Sequence, residues 1–179
     1  RQPQEQGTAH RLAHEPHATT WAGNLLIDDW GREDGPDEIT EACFDEMLDG
    51  SSEGAGWYVK KKEAERENTL GQSVLIEDAT LWGGNLCVLP SLLGTPYFPR
   101  IDGGILFVED VGEPPFRIER LLYQLHLSGV LGRRRALILG DFTACKPSAY
   151  DNGYDLAAGF AQIRRVVGIP VLDGLPFGH

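Results

Sequence analysis

Apolar positions change their spacing along the chain, and each change predicts a different kind of element. In GPDEITEACFDEMLDG, residues 35–50, Ile39, Cys43 and Met47 recur at helical spacing. Pro36 suits a first helical turn and Gly50 the position just past a helix end, so one amphipathic helix is predicted. From Gly54 to Ile76 the period shortens to two in WYVKK and SVLIE, with polar breaks between, which predicts a small strand-rich region. GGNLCVLPSLLG, Gly83 to Gly94, reads as a glycine turn, a helix cap at Asn85 and a short apolar helix that Pro90 should kink. Its all-round hydrophobicity predicts burial.

The last third is more regular. Gly104 to Val108 is an apolar strand, Pro115 to Leu127 a helix with Ile118, Leu121, Leu122 and Leu125 on one face, and Ala136 to Gly140 a second strand. Leu156, Phe160, Ile163 and Val167 then line a second helix, and Ile169 to Leu172 is a third strand. Such alternation predicts an α/β fold, a parallel βαβαβ sheet with right-handed crossovers and helices on both faces, plus the small strand-rich region. Functional groups in such sheets gather just beyond the carboxyl ends of the strands, so Glu109, Asp141 and the final DGLPFGH should lie along one edge.

Composition narrows the function classes. A chain of 179 residues, 41% hydrophobic and 24% charged, can bury an ordinary core without disulfides or metal. No apolar run approaches the roughly 20 residues of a membrane span, so no membrane association is expected. The net charge of −11 repels phosphate backbones, and nucleic acid is not an expected partner. The basic clusters Lys60-Lys61-Lys62 and Arg133-Arg134-Arg135 read as solvated strand edges or turns. Cys43, Cys87 and Cys145 are odd in number and widely spaced, which points to a reducing, cytoplasmic setting. A chain starting on Arg1 is expected to be cut from something longer.

The candidate chemistry is carried by carboxylates and histidines. On a strand, Ile105, Phe107 and Glu109 share one face and Leu106, Val108 and Asp110 the other, so Glu109 and Asp110 point apart. Glu109 reads either as a solvated strand end or as a site carboxylate, and Glu113, before Pro114-Pro115, as a helix-capping acid. His179 follows a turn-rich LPFGH, and a histidine there suits general base work with a carboxylate orienting its ring. His10, His14 and His17 have a ligand-like spacing that Pro16 interrupts, so no metal is expected, and His126 reads as structural. An acid and a histidine ask for a nucleophile, yet no serine precedes Ser51 and none sits in a Gly-x-Ser-x-Gly turn. Cys87 and Cys145 are the remaining nucleophile candidates, Cys87 in a stretch that reads as a buried hydrophobe.

The string TLWGGNLCVLPSLLGTPYFPRIDGGILFVEDVGEPPFRIERLLYQLHLSGVL, with ALILGDFT, YDNGYDL and IPVLDGLPFGH, resembles the carboxyl-terminal part of the bacterial LD-carboxypeptidases. These are serine peptidases related to the microcin self-immunity proteins. The similarity runs from about Leu12, through LAHEPHATTWAG, to His179. It implies a Ser, Glu, His triad without metal or cofactor, which removes the terminal D-alanine from a murein tetrapeptide in cell-wall recycling in the cytoplasm.

Matched residue by residue, the glutamate of ILFVED is Glu109 and the histidine of LPFGH is His179. The family's serine belongs to a Gly-x-Ser-Asp turn whose place is held here by RQPQEQGTAH, without a serine. The expectation is therefore a fragment of such an enzyme, inactive alone. Residues 1–50 would be a remnant of the nucleophile domain with a linker helix, and residues 51–179 the α/β domain carrying Glu109 and His179. A murein peptide is the expected substrate and a homodimer the expected assembly. The alternatives are a microcin-type self-immunity peptidase and a non-catalytic module that has lost the serine.

Overall fold

Asp37 begins the first described helix, α1 (Glu38–Asp49), because its carboxylate accepts the otherwise unpaired N–H groups of Ile39 and Thr40, each at 3.1 Å. Pro36 therefore precedes the cap and does not occupy the first turn, whereas Gly50 closes the helix in the left-handed conformation, as its position implied. This computed structural model describes residues 29–52, 56 and 75–178, in a chain that divides into two units, Arg1–Gly56 and Trp57–His179. The strand-rich stretch from Gly54 to Ile76 lies outside the described residues except for Gly56, Leu75 and Ile76, and Lys60-Lys61-Lys62 lies outside them altogether. In the first unit Trp30 meets Phe44 edge to face, with ring centroids 5.1 Å apart.

The second unit is an α/β layer built on four parallel strands in sequential order: β1 (Leu81–Asn85), β2 (Ile105–Val111), β3 (Ala136–Thr143) and β4 (Val171–Leu172). A single helical turn, α2 (Val88–Ser91), follows β1; α3 (Pro115–Leu127) joins β2 to β3, and α4 (Leu156–Val166) joins β3 to β4. Pro115 starts α3 where a missing N–H costs nothing, and Ile118, Leu121, Leu122 and Leu125 are all buried, as their spacing predicts. They share one core with Leu106 and Val108 of β2, Leu137 and Leu139 of β3, and Ile163 of α4. Full burial of each such side chain stabilises by about 1.5–3 kcal/mol. Among the described residues no helix is long and apolar enough to cross a membrane.

Three sequence expectations change. Gly83 and Gly84 form strand instead of a turn: the backbone of β2 runs so close that a Cβ at position 83 would overlap the Phe107 carbonyl oxygen. Pro90 does not kink α2, because it lies in a first turn where no intrahelical partner is lost and the helix ends one residue later. Finally, β2 runs on through Glu109 and Asp110 to Val111, so the carboxylates lie inside a central strand.

Candidate active site

Glu109 is only 2% exposed, which excludes the solvated strand end. Its strand is flanked on both sides: Asn85 of β1 is its register partner, and its carbonyl accepts the Leu86 N–H at 2.8 Å. On the β3 side the pairing steps from Val108–Leu139 to Asp110–Phe142, so Glu109 faces two residues, Gly140 and Asp141. This is a β-bulge, a device that re-aims side chains beside sites.

The bulge is filled by the segment after β4. The Phe177 carbonyl accepts the Asp141 N–H at 2.8 Å, and the Phe177 ring meets Phe107 edge to face with centroids 4.8 Å apart. A Cβ at Gly140 would overlap that carbonyl while sitting 3.4 Å from Glu109 Cβ. Gly140 therefore opens on the Glu109 face, and only a residue without a side chain lets the tail settle there. Gly178 follows against Asp141, where a Cβ would approach Asp141 Cβ to 2.8 Å. At its start the tail is tied to α4 by an Arg164–Asp173 ion pair. Glu109, Asp141 and the described part of DGLPFGH are thus brought to one edge; His179 lies outside the described residues.

On the opposite side of β2 a second polar group is buried. Asp110, also 2% exposed, accepts from Asn85 Nδ2 at 3.2 Å and from the Val111 N–H at 2.9 Å through Oδ1, while Oδ2 has no partner. Asn85 in turn accepts the N–H groups of Cys87 (3.0 Å) and Val88 (3.1 Å) from the end of β1, whereas the cap position of α2 itself falls to Cys87, not to Asn85 as its sequence position implied. Pattern alone missed the Asn85–Asp110 pair; the signal was an asparagine and an aspartate each just after apolar residues of a strand.

The thiols nearby are poor nucleophiles. Burial first, then the charge of Asp110, pushes the Cys87 thiol up to about 12. Burial likewise raises Cys145, whose Sγ donates weakly to the Asp110 carbonyl at 3.8 Å. Neither is a thiolate near neutral pH.

Glu113 makes a 3.0 Å ion pair with Arg117 one turn on. The cap position of α3 belongs to Pro114, which makes no side-chain cap. His126 lies in the last turn of α3, where a cation would meet the negative end of the helix dipole. His10, His14 and His17 lie outside the described residues, among which no group of three side chains could hold a metal.

Residues 78–179 match the family described as the LD-carboxypeptidase C-terminal domain. The chain is 30% identical over 160 residues to the "Probable murein peptide carboxypeptidase" of Bacillus subtilis, covering 89% of this chain and 48% of that protein. It is 35% identical over 101 residues to the Escherichia coli microcin C7 self-immunity protein MccF, covering 54% of this chain and 28% of that one. The crystal structure of muramoyltetrapeptide carboxypeptidase from Oxalobacter formigenes superposes with a TM-score of 0.79 at 41% identity, covering 96% of this chain and 56% of that chain. The chain thus spans half or less of the length of these two curated relatives.

Proposed function

The chain belongs to the LD-carboxypeptidase family, which it matches over that family's carboxyl-terminal domain, and we propose that it supplies the acid–base half of a serine-type active site. In this reading His179 takes the proton of a serine hydroxyl as that oxygen attacks the scissile carbonyl, then delivers it to the departing amine of D-alanine. Water repeats the attack on the acyl-enzyme, with His179 again the base. Glu109 holds the imidazole and stabilises its charged form. The serine stands in a Gly-x-Ser-Asp turn upstream of the segment resembling LAHEP, and residues 1–50 are what remains here of the domain that presents it. The substrate is a murein tetrapeptide, and no metal takes part.

One observation carries this reading. The tail is docked by the Phe177 carbonyl in the bulge opposite Glu109, on the face where Glu109 points. The described tail ends on a Gly178 packed against Asp141. Burial of Glu109 gives its carboxylate a fixed position and a low-dielectric setting, both of which strengthen its hold on an imidazolium.

Release of D-alanine from the tetrapeptide tests the proposal, measured for this chain, for the protein extended upstream through the serine turn, and for the extended protein with Glu109→Ala. The expected order is negligible, active and strongly reduced. The variant's KM should stay near the wild-type value, because the carboxylate acts on the imidazole and not on the peptide. Full activity of this chain alone would place the nucleophile elsewhere. An upstream gene segment without the serine would make the chain a non-catalytic module, and turnover only of a peptide–nucleotide conjugate would make it a self-immunity peptidase.

A further inference from the structure

Within the cluster Arg133-Arg134-Arg135, Arg133 and Arg135 are exposed, as a solvated edge or turn implies, but Arg134 is buried. Arg134, just before β3, has a side chain only 1% exposed, stacked on Trp82 with its guanidinium carbon 4.8 Å from the ring centroid. Its Nη1 reaches the Arg133 carbonyl at 3.5 Å and Asp102 at 3.8 Å, and its Nε–H has no partner. An incompletely paired buried cation is costly, so something should complete it. Asp102 is a weak answer: it is 78% exposed and shared with Arg133 Nε at 3.3 Å.

Arg134 lines a cavity of about 490 Å³ together with Arg100, Arg133 and Asp102, so three arginines share one cavity with one carboxylate, which pairs with Arg133 and Arg134. Phe98, Leu93 and Val130 supply apolar wall. That combination of a small convergent polar set on an apolar lining, at this size, is what small-molecule sites look like. It also stands out chemically, because three arginines gather in a chain whose net charge is −11. Burial, opposed by Asp102, pulls the Arg134 guanidinium below its ordinary value, a direction that a bound anion would reverse.

We propose that this cavity binds a small organic oxyanion, a carboxylate or a phosphate, whose oxygens take the free N–H groups of Arg134 and Arg100 while its body rests on Phe98 and Leu93. Guanidinium forks match the oxygen spacing of both groups. The site lies before the starts of β2 and β3, and the stretch of β2 from Ile105 to Glu109 alone spans roughly 13 Å. It is separate from the proposed catalytic pair and does not rest on the reading given above. Its occupant would act as an effector or structural ligand.

The test is a side-chain NMR titration of the full chain, following the Nε–H signal of Arg134 and the Nε1–H signal of Trp82. Inorganic phosphate and succinate are added separately against chloride at matched ionic strength. A saturable shift of both signals with one anion, absent with chloride, is the expected result, and which anion gives it identifies the head group. Arg100→Ala, an exposed position whose loss leaves the core intact, should weaken that binding about tenfold or more. Arg134→Lys, which keeps the charge but loses the fork, should abolish it. Because that buried change can also damage the fold, Arg100→Ala decides. No anion-specific shift, or equal binding by wild type and Arg100→Ala, overturns the proposal.

Discussion

Gly140→Ala separates the docking of the tail from the stability of the sheet. A methyl group at position 140 overlaps the Phe177 carbonyl oxygen and also meets the Val108 carbonyl at 3.3 Å and Glu109 Cβ at 3.4 Å. The strand atoms are held by the sheet, so the tail is what moves. Its departure forfeits the Asp141–Phe177 hydrogen bond, worth about 0.5–1.5 kcal/mol, and the Phe107–Phe177 ring contact, worth about the same. The sum, about 1–3 kcal/mol, corresponds to a roughly 5- to 150-fold rise in the undocked population. Global stability should fall by less than that sum, since alanine restricts the unfolded chain more than glycine does and offsets about 0.4–1 kcal/mol of it. Amide hydrogen exchange reads the two apart: the Asp141 N–H should exchange faster by that factor while the core amides of Leu137 and Leu139 keep their protection. Unchanged exchange at Asp141 in the variant would show that the tail does not occupy the bulge.

Two further outcomes are expected. Asn85→Ala removes the acceptor of the Cys87 and Val88 N–H groups and leaves the buried Asp110 carboxylate with only the Val111 N–H, so urea unfolding should show a loss of roughly 2–4 kcal/mol; a loss below about 0.5 kcal/mol would mean that the pair is idle. In a Cys43→Ser background, disulfide-exchange reagents at pH 8 should label the folded chain far more slowly than the unfolded one, because burial holds Cys87 protonated up to about 12 and raises Cys145 as well. The linked stability is undiminished below the ordinary thiol value of 9.0 and is lost as the pH climbs from there through about 12, since the unfolded thiol ionises first. Equal labelling rates, or stability that does not fall over that window, would contradict the buried placement.

Periodicity made the helices legible. The spacing of Ile118, Leu121, Leu122 and Leu125 gave α3 its bounds and its buried face, and Asn85 was readable as an acceptor for the N–H groups that lead into α2, though not its place two residues before the cap position. β1 was hidden because glycine signals both a turn and a close backbone approach, and only the neighbouring strand decides which. β2 and β3 run further than their apolar stretches because Glu109 pairs with Asn85 and the β2–β3 ladder resumes past the bulge at Asp110–Phe142 and Val111–Thr143, and a ladder of backbone bonds has no hydropathy. The burial of Arg134 was likewise invisible. Three adjacent arginines look alike in sequence, and only the tertiary placement of Trp82 distinguishes the middle one. The family resemblance supplied the roles of Glu109 and His179, which pattern alone left open.

The central claim is that Glu109 and His179 act as a pair, and it can be tested in this chain without any nucleophile. The pH titration of the His179 imidazole by NMR, in the wild-type chain and in Glu109→Gln, measures it directly. A carboxylate held against the ring favours the imidazolium, so in the wild type His179 should deprotonate above the ordinary value near 6.5, and Glu109→Gln should make its proton about tenfold easier to remove. Superimposable titrations in the two proteins would show that the buried carboxylate of β2 does not reach the histidine, and the proposed catalytic pair would not stand.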